Sequence, residues 1–122
     1  MQTEIRSIRP FIGARDFEVS RRFYRAMGFK ETELSPVLSV FGLQGFSFYL
    51  QDSYIPDWVE NTMVFMEVEN IFSFWDELIE LKLEEKFPFV RLTAVRHFDW
   101  GSECYLHDPS GILWHFGQFK VE

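Results

Sequence analysis

The stretch Asp16-Phe17-Glu18-Val19-Ser20-Arg21-Arg22-Phe23-Tyr24-Arg25-Ala26-Met27-Gly28 carries both end signals of a helix. Asp16 sits where an N-cap belongs, because its carboxylate can accept from the free amides of a first turn. Gly28 closes the run, since glycine takes the left-handed backbone of a helix end at no steric cost. Ser20, Phe23, Tyr24 and Met27 fall at helical spacing and make one inward face. Arg21, Arg22 and Arg25 lie mostly off that face, and Glu18 beside them marks a charged, exposed side. Upstream, Ile5 to Gly13 alternates. Ile8, Pro10 and Ile12 lie on one side and Ser7, Arg9 and Phe11 on the other, which predicts a strand at or beside a sheet edge. Downstream, residues 29–34, 37–43 and 46–52 read as three more strands, punctuated by Ser35-Pro36 and by the hairpin-like turn Gln44-Gly45.

After a connector from Ser53 to Asn61 the pattern restarts. Thr62 to Glu69 predicts a strand and Asn70 caps a second helix, with Ile71, Phe74, Trp75, Leu78 and Ile79 as its apolar stripe. Phe87 to Leu92, containing Pro88, predicts a further extended segment. Glu103 to His107 and Ile112 to Phe119 alternate as strands around the turn Asp108-Pro109-Ser110-Gly111, which reads as structural. In both halves a strand feeds a capped helix and then several strands. Phe23-Tyr24 and Phe74-Trp75 occupy matching places, which points to an internal duplication. The expectation is one domain over 1–122, with module one at about 1–56 and module two at about 57–122.

Apolar residues make up 47% of the 122 and aromatic ones 19%, too much for a disordered chain. That aromatic share must go into a core, an interface or a ligand pocket. No apolar run approaches the roughly 18–20 residues of a membrane helix. Met1 to Arg6 lacks the apolar stretch of a secretory signal. Cys104 is the single cysteine, so no internal disulfide framework exists and a cytoplasmic location is expected. A net charge of −7 argues against nucleic acid as a partner. The acidity either steers a cationic ligand or simply keeps the protein dissolved.

Three pieces together resemble a known superfamily: Asp16 to Tyr24 continuing to Met27-Gly28-Phe29; Val68-Glu69-Asn70-Ile71; and Trp100-Gly101 followed by Asp108-Pro109-Ser110-Gly111 and Leu113-Trp114-His115-Phe116. They are similar to the glyoxalase, bleomycin-resistance and extradiol-dioxygenase proteins, also called the vicinal oxygen chelate superfamily. The length, the acidity and the stretch Arg91 to Gly101 look most like the bleomycin-resistance branch. The resemblance implies an α+β fold of two βαβββ modules, whose curved mixed sheets enclose a small-molecule cleft. It also implies a homodimer with cavities near the subunit interface.

Enzymes of this superfamily hold a divalent metal on ligands from the first and last strand of each module. Here the resemblance puts Arg9, Tyr49, Met63 and His115 at those positions. A guanidinium has no lone pair to offer, a lone phenol is a poor divalent ligand near neutrality, and a thioether is too soft for an oxygen-chelating ion. Only His115 remains. Shifting the register by one residue brings in Ile8 or Pro10, Phe48 or Leu50, Thr62 or Val64, and Trp114 or Phe116, none of which restores a donor set. The expectation is therefore no metal and no cofactor.

The same concave surface would be lined by Ser7, Arg9, Phe11, Tyr49, Met63, Phe65, Glu67, Leu113 and His115. Such aromatic walls with a few polar groups suit a planar or aromatic ligand, cationic if the acidity steers it, and the resemblance implies that it is sequestered unchanged, as in antibiotic resistance. Trp100, Phe98, Trp58 and Tyr54 lie in or beside loops, where they either close over a ligand or pack. His115 is a candidate acid/base, or else a hydrogen-bonded structural residue. His97 and His107 are expected to face solvent, and Cys104 to be a small buried side chain. Two other readings stay open. One is a lyase, isomerase or dioxygenase with an atypical metal site from Glu67, Glu103, His107 and His115. The other is an interaction module whose cavity is filled by its own side chains.

Overall fold

A computed structural model describes residues 1–121. Helix α1 (Phe17–Ala26) begins where Asp16 accepts from the Val19 amide at 3.2 Å, and Gly28 follows it at φ +107°. Strands β1 (Phe11–Gly13), β2 (Lys30–Ser35), β3 (Leu38–Leu43) and β4 (Phe46–Gln51) form one sheet in the order β1-β4-β3-β2. β1 runs parallel to β4 and the other pairs are antiparallel. Gln44 and Gly45, both at positive φ, close the β3–β4 hairpin as the turn residues predict.

A one-turn helix α2 (Pro56–Val59) leads into the second sheet, built from β5 (Met63–Glu67), β6 (Arg91–Phe98), β7 (Gly101–His107) and β8 (Leu113–Phe119). Its order, β5-β8-β7-β6, repeats the first, again with one parallel pair. Between β5 and β6 lie α3 (Ile71–Glu80), capped by Asn70 accepting from the Phe72 and Ser73 amides, and the short α4 (Leu83–Lys86). The architecture is α+β, two four-stranded mixed sheets with helices, and neither sheet closes on itself.

Alternation along the strands decides what the sheets share. Phe48 and Leu50 of β4, and Trp114 and Phe116 of β8, are buried, whereas their neighbours Tyr49 and His115 point the other way. The Phe48 and Trp114 rings meet at 5.5 Å, and Tyr24 of α1 packs on Phe41, Phe48 and Trp114. The sheets therefore join through their helix-bearing sides around an aromatic core. At the centre of that joint, Tyr24 donates to Asp108 and Trp114 donates to Tyr24. Asp108 also accepts from the Ser110 and Ile112 amides, so the predicted turn ties both halves together.

Several expectations need correction. The first strand is three residues long rather than running from Ile5, and Ile5 and Ile8 are exposed. In the parallel register of Phe11 with Tyr49, the start of β4 at Phe46 falls opposite Ile8, so residues 5–7 have no strand beside them, and Pro10 contributes only its carbonyl, to the Tyr49 amide. The extended segment expected at 87–92 lies at Arg91–Phe98 instead, which puts Phe98 in a strand and leaves Trp100 at the turn. Proline and the αL residue Phe89 break the chain just before it. The connector holds α2, whose Val59 is fully buried, and Ile79 of the α3 stripe is 45% exposed. The arginine side of α1 is less solvated than expected: Arg21 and Arg25 both pair with Glu31 of β2, a side chain only 5% exposed. Burial alone would raise the Glu31 carboxyl, but hydrogen bonds from Arg21, Ser39 and Arg25 override it and hold it below the usual range.

Candidate functional site

Each sheet turns a second face away from the shared core. On the first, Phe11 of β1 stacks on Tyr49 of β4, centroids 4.5 Å apart and planes within 16°, and the Arg9 guanidinium lies 6.0 Å from the Tyr49 ring. Pairing sets this: β1 and β4 run parallel with Phe11 beside Tyr49, so residues of equal parity share the outward side. Arg9, Phe11 and Tyr49 are thus brought together. Ser7 is exposed further up the same segment.

On the second sheet, residues cross the outward face in rows set by the register. Met63, Leu113, His107 and Arg91 make one row; Phe65, His115, Tyr105 and Thr93 the next; Glu67, Gly117, Glu103 and Arg96 the third. At its end Phe65, Trp100, Phe119 and Phe98 cluster, with centroid distances of 5.3–6.4 Å, and Phe98 and Trp100 are parallel within 3°. Gly117 makes the cluster possible: a Cβ there would lie 2.7 Å from the Phe65 ring and 3.3 Å from that of Trp100. All four aromatics stay 37–49% exposed.

His115 is tied into this face. Its Nδ1 lies 2.6 Å from Glu103 Oε1 and its Nε2 lies 3.4 Å from Met63 Sδ. Tyr105 donates to the other Glu103 oxygen at 3.1 Å and sets its ring edge against the imidazole. Both ring nitrogens already meet a protein atom, which suits a structural histidine. His97 is exposed and contacts Ser102, as expected. His107 is only half-exposed: its Nδ1 is buried with no partner among the described residues, and burial and then Arg91 push its pKa down. It borders a hollow of about 380 Å³ with Met63, Leu113 and Arg91. Cys104 is fully buried, and desolvation followed by Glu103 raises its thiol to about 11, so it is no nucleophile at neutral pH. Trp58 is half-buried against the core and close to Gly13, and Tyr54 hydrogen-bonds Arg15 and Glu60.

The expected lining therefore splits. Arg9, Phe11 and Tyr49 occupy the first outward face; Met63, Phe65, Glu67, Trp100, Leu113 and His115 occupy the second. A single chain does not bring the two groups into one pocket. Sequence reasoning missed Phe119, Gly117 and Tyr105 here. Alternation along β7 and β8 contained that signal, since all three share the parity of His115.

No protein-family model matches the sequence, and no curated protein matches it. Solved structures do match in shape. A bleomycin resistance determinant encoded on the transposon Tn5 superposes with a TM-score of 0.79 at 17% identity, covering 98% of this chain and 100% of that one. The bleomycin-binding protein from Streptomyces verticillus, complexed with copper(II)-bleomycin, gives 0.78 at 16%, covering 98% and 100%. Lactoylglutathione lyase from Agrobacterium tumefaciens gives 0.71 at 15%, covering 95% and 96%. The chain has the vicinal oxygen chelate fold.

Vicinal oxygen chelate enzymes hold a metal, so the donor set can be tested here. Arg9 and Tyr49 sit on one face, Met63 and His115 on the other. His115 has one carboxylate neighbour, Glu103, and no group of three His, Cys, Asp or Glu side chains able to hold an ion exists among the described residues. Glu67, Glu103, His107 and His115 do not assemble one. Bringing a second copy's Arg9 and Tyr49 opposite His115 would add a cation and a phenol, not the hard donors an ion needs. The residues present do not fit a divalent metal.

Proposed function

We propose that this chain binds a flat organic molecule without altering it, as a single domain whose modules span about 1–56 and 57–122. One observation carries the reading: Phe65, Phe98, Trp100 and Phe119 form an exposed aromatic group on a sheet face, beside Glu67. Solvent-facing aromatics grouped this closely lose area to water that a stacked ring would recover. Glu67, exposed on that face, gives it a carboxylate for a ligand carrying positive charge. Proteins named for binding bleomycin or resisting it share the fold, which supports non-covalent capture, although the lyase of the same shape shows that fold alone assigns no chemistry.

The reading includes a cytoplasmic homodimer. Two open faces expose Phe11, Met63, Phe65 and Trp100, and setting the first face of one copy against the second face of another would reunite the residues that one chain keeps apart. It also includes metal independence, for the donor-set reason above.

A thermal-shift screen with planar cationic, anionic and neutral aromatics tests it, alongside elemental analysis of the purified protein. Binding raises Tm by several degrees at ligand concentrations well above Kd. A screen in which no planar compound moves Tm, or protein carrying one firmly bound metal per chain, overturns the reading.

A further inference from the structure

The two capped helices hold matching places in the modules, yet their outer sides differ. On α1, Phe17, Phe23 and Tyr24 are buried, Arg25 lies in the last turn as the helix dipole favours, and Arg21 and Arg25 pair with carboxylates. On α3 the apolar arc is wider than the sheet beneath it covers. Ile71 and Leu78 are buried, but Phe72 is 57% and Ile79 45% exposed, and Trp75 between them is half-buried. Spacings of three and four residues put these three on one side of the helix. Phe72 also meets the His97 ring of β6 at 5.9 Å, which carries the patch onto the neighbouring strand.

The charges beside this stripe repel rather than cancel. Asp76 and Glu80, both exposed, stand one turn apart on its flank, a like-charge pair that destabilises the helix. With Glu77 they crowd the half of α3 nearer its negative dipole end, and its last turn holds no basic residue. None of the three has an ion-pair partner among the described residues. Residues 69–86 hold six carboxylates and two lysines, a net −4 within the chain's −7. A second copy set against this side would bring the same carboxylates face to face, and anionic membranes and nucleic acids are repelled by that charge. A helix with an apolar side and basic flanks answers both features: it covers Phe72, Trp75 and Ile79 and sets Lys or Arg against Asp76 and Glu80.

We propose that the outer side of α3 docks a cationic amphipathic helix of another protein. α3 packs on the inner side of the second sheet, where Phe74 meets buried Phe116 at 4.6 Å, opposite the face that carries Phe65 and His115. The proposal is therefore independent of the flat-ligand reading and of the sheet faces that a homodimer would cover.

Amide NMR titration with a synthetic Leu/Lys peptide of roughly 14 residues, its leucines at helical spacing, tests it. The controls are a scrambled peptide of the same composition and a Leu/Glu peptide of the same pattern. The Leu/Lys helix shifts the amides of Phe72, Trp75 and Ile79 and binds at least about tenfold tighter than either control. Added salt weakens it. The double variants Phe72→Ser/Ile79→Ser and Asp76→Lys/Glu80→Lys, altered only at exposed positions, keep the parent's amide spectrum away from α3 and each lose at least about tenfold in affinity. Equal affinity for either control, or either double variant binding as the parent does, overturns the proposal. Shifts confined to the amides of Phe65, Trp100 and Gly117 also overturn it, while leaving the binding role of that face intact. Shifts along α3 in a protein whose Tm no planar compound moves would uphold the docking surface and remove the other reading. Movement of the α3 amides with protein concentration alone would assign this side to a second copy and overturn the proposal.

Discussion

The Tyr24 hydroxyl donates to Asp108 Oδ2 at 2.6 Å, joining residues 84 positions apart and from opposite halves of the chain. Trp114 in turn donates to Tyr24 at 3.0 Å, so one phenol serves as acceptor and donor inside the aromatic core. Replacing Tyr24 by Phe leaves the indole N–H and one carboxylate oxygen unpaired in a dry site. Such losses cost about 1–3 kcal/mol each, so Tyr24→Phe should lower stability by roughly 3 kcal/mol in urea unfolding, with a single transition retained. A change below about 1 kcal/mol would mean the pair is not buried as described.

Asp108 gives the protein a pH signature. Burial raises its carboxyl from 3.8 to about 6, against the pull of Tyr24 and the turn amides. The folded protein therefore keeps a proton there that the unfolded chain has already released. Stability from this group is fully present below pH 3.8 and is lost as pH rises through about 6. The expected loss is of order 3 kcal/mol. Asp108→Asn can still accept from the Ser110 and Ile112 amides but cannot titrate. The stability difference between parent and variant should slope across that window, and a flat difference in pH-dependent melts would contradict the assignment.

Gly117 is a site where function and stability separate. Its Cβ would strike the outer edge of the Phe65 ring at 2.7 Å, and a ring on an exposed face can swing aside. Gly117→Ala should therefore cost less than about 1.5 kcal/mol while weakening planar ligands by about tenfold, read by fluorescence titration. Gly101 is different, because a Cβ there would sit 2.1 Å from the Gln118 carbonyl oxygen, a backbone atom that cannot move alone. Gly101→Ala should lower Tm by far more than Gly117→Ala does.

Metal loading provides another check. After exposure to zinc, nickel, manganese or iron and then dialysis, the protein should retain well under one ion per chain. His115→Ala should not change that figure. Retention of one ion that His115→Ala abolishes would overturn the donor-set reasoning.

Helices and turns were legible in the sequence because their determinants are local. Asp16, Asn70, Gly28 and Gln44-Gly45 each act within a few residues, and each does in the fold what its chemistry predicts. β6 was not legible, because its strand character depends on pairing with β7 and Pro88 lies just ahead of it. Strand parity correctly put Met63, Phe65 and His115 on one face and Arg9, Phe11 and Tyr49 on one face. Parity says nothing about how two sheets are mutually turned, so it could not reveal that those faces diverge. The partners of Glu31, and the lone Nδ1 of His107, depend on three-dimensional packing and leave no local trace.

Divergent faces also constrain counting. On the proposed reading each chain offers two unlike half-sites rather than one whole one, so a lone copy would not wrap a guest on both sides. A twofold pair would satisfy both halves of both copies at once, leaving none over, and would hold two guests at saturation. Ligand stoichiometry and subunit number should then rise and fall together on dilution.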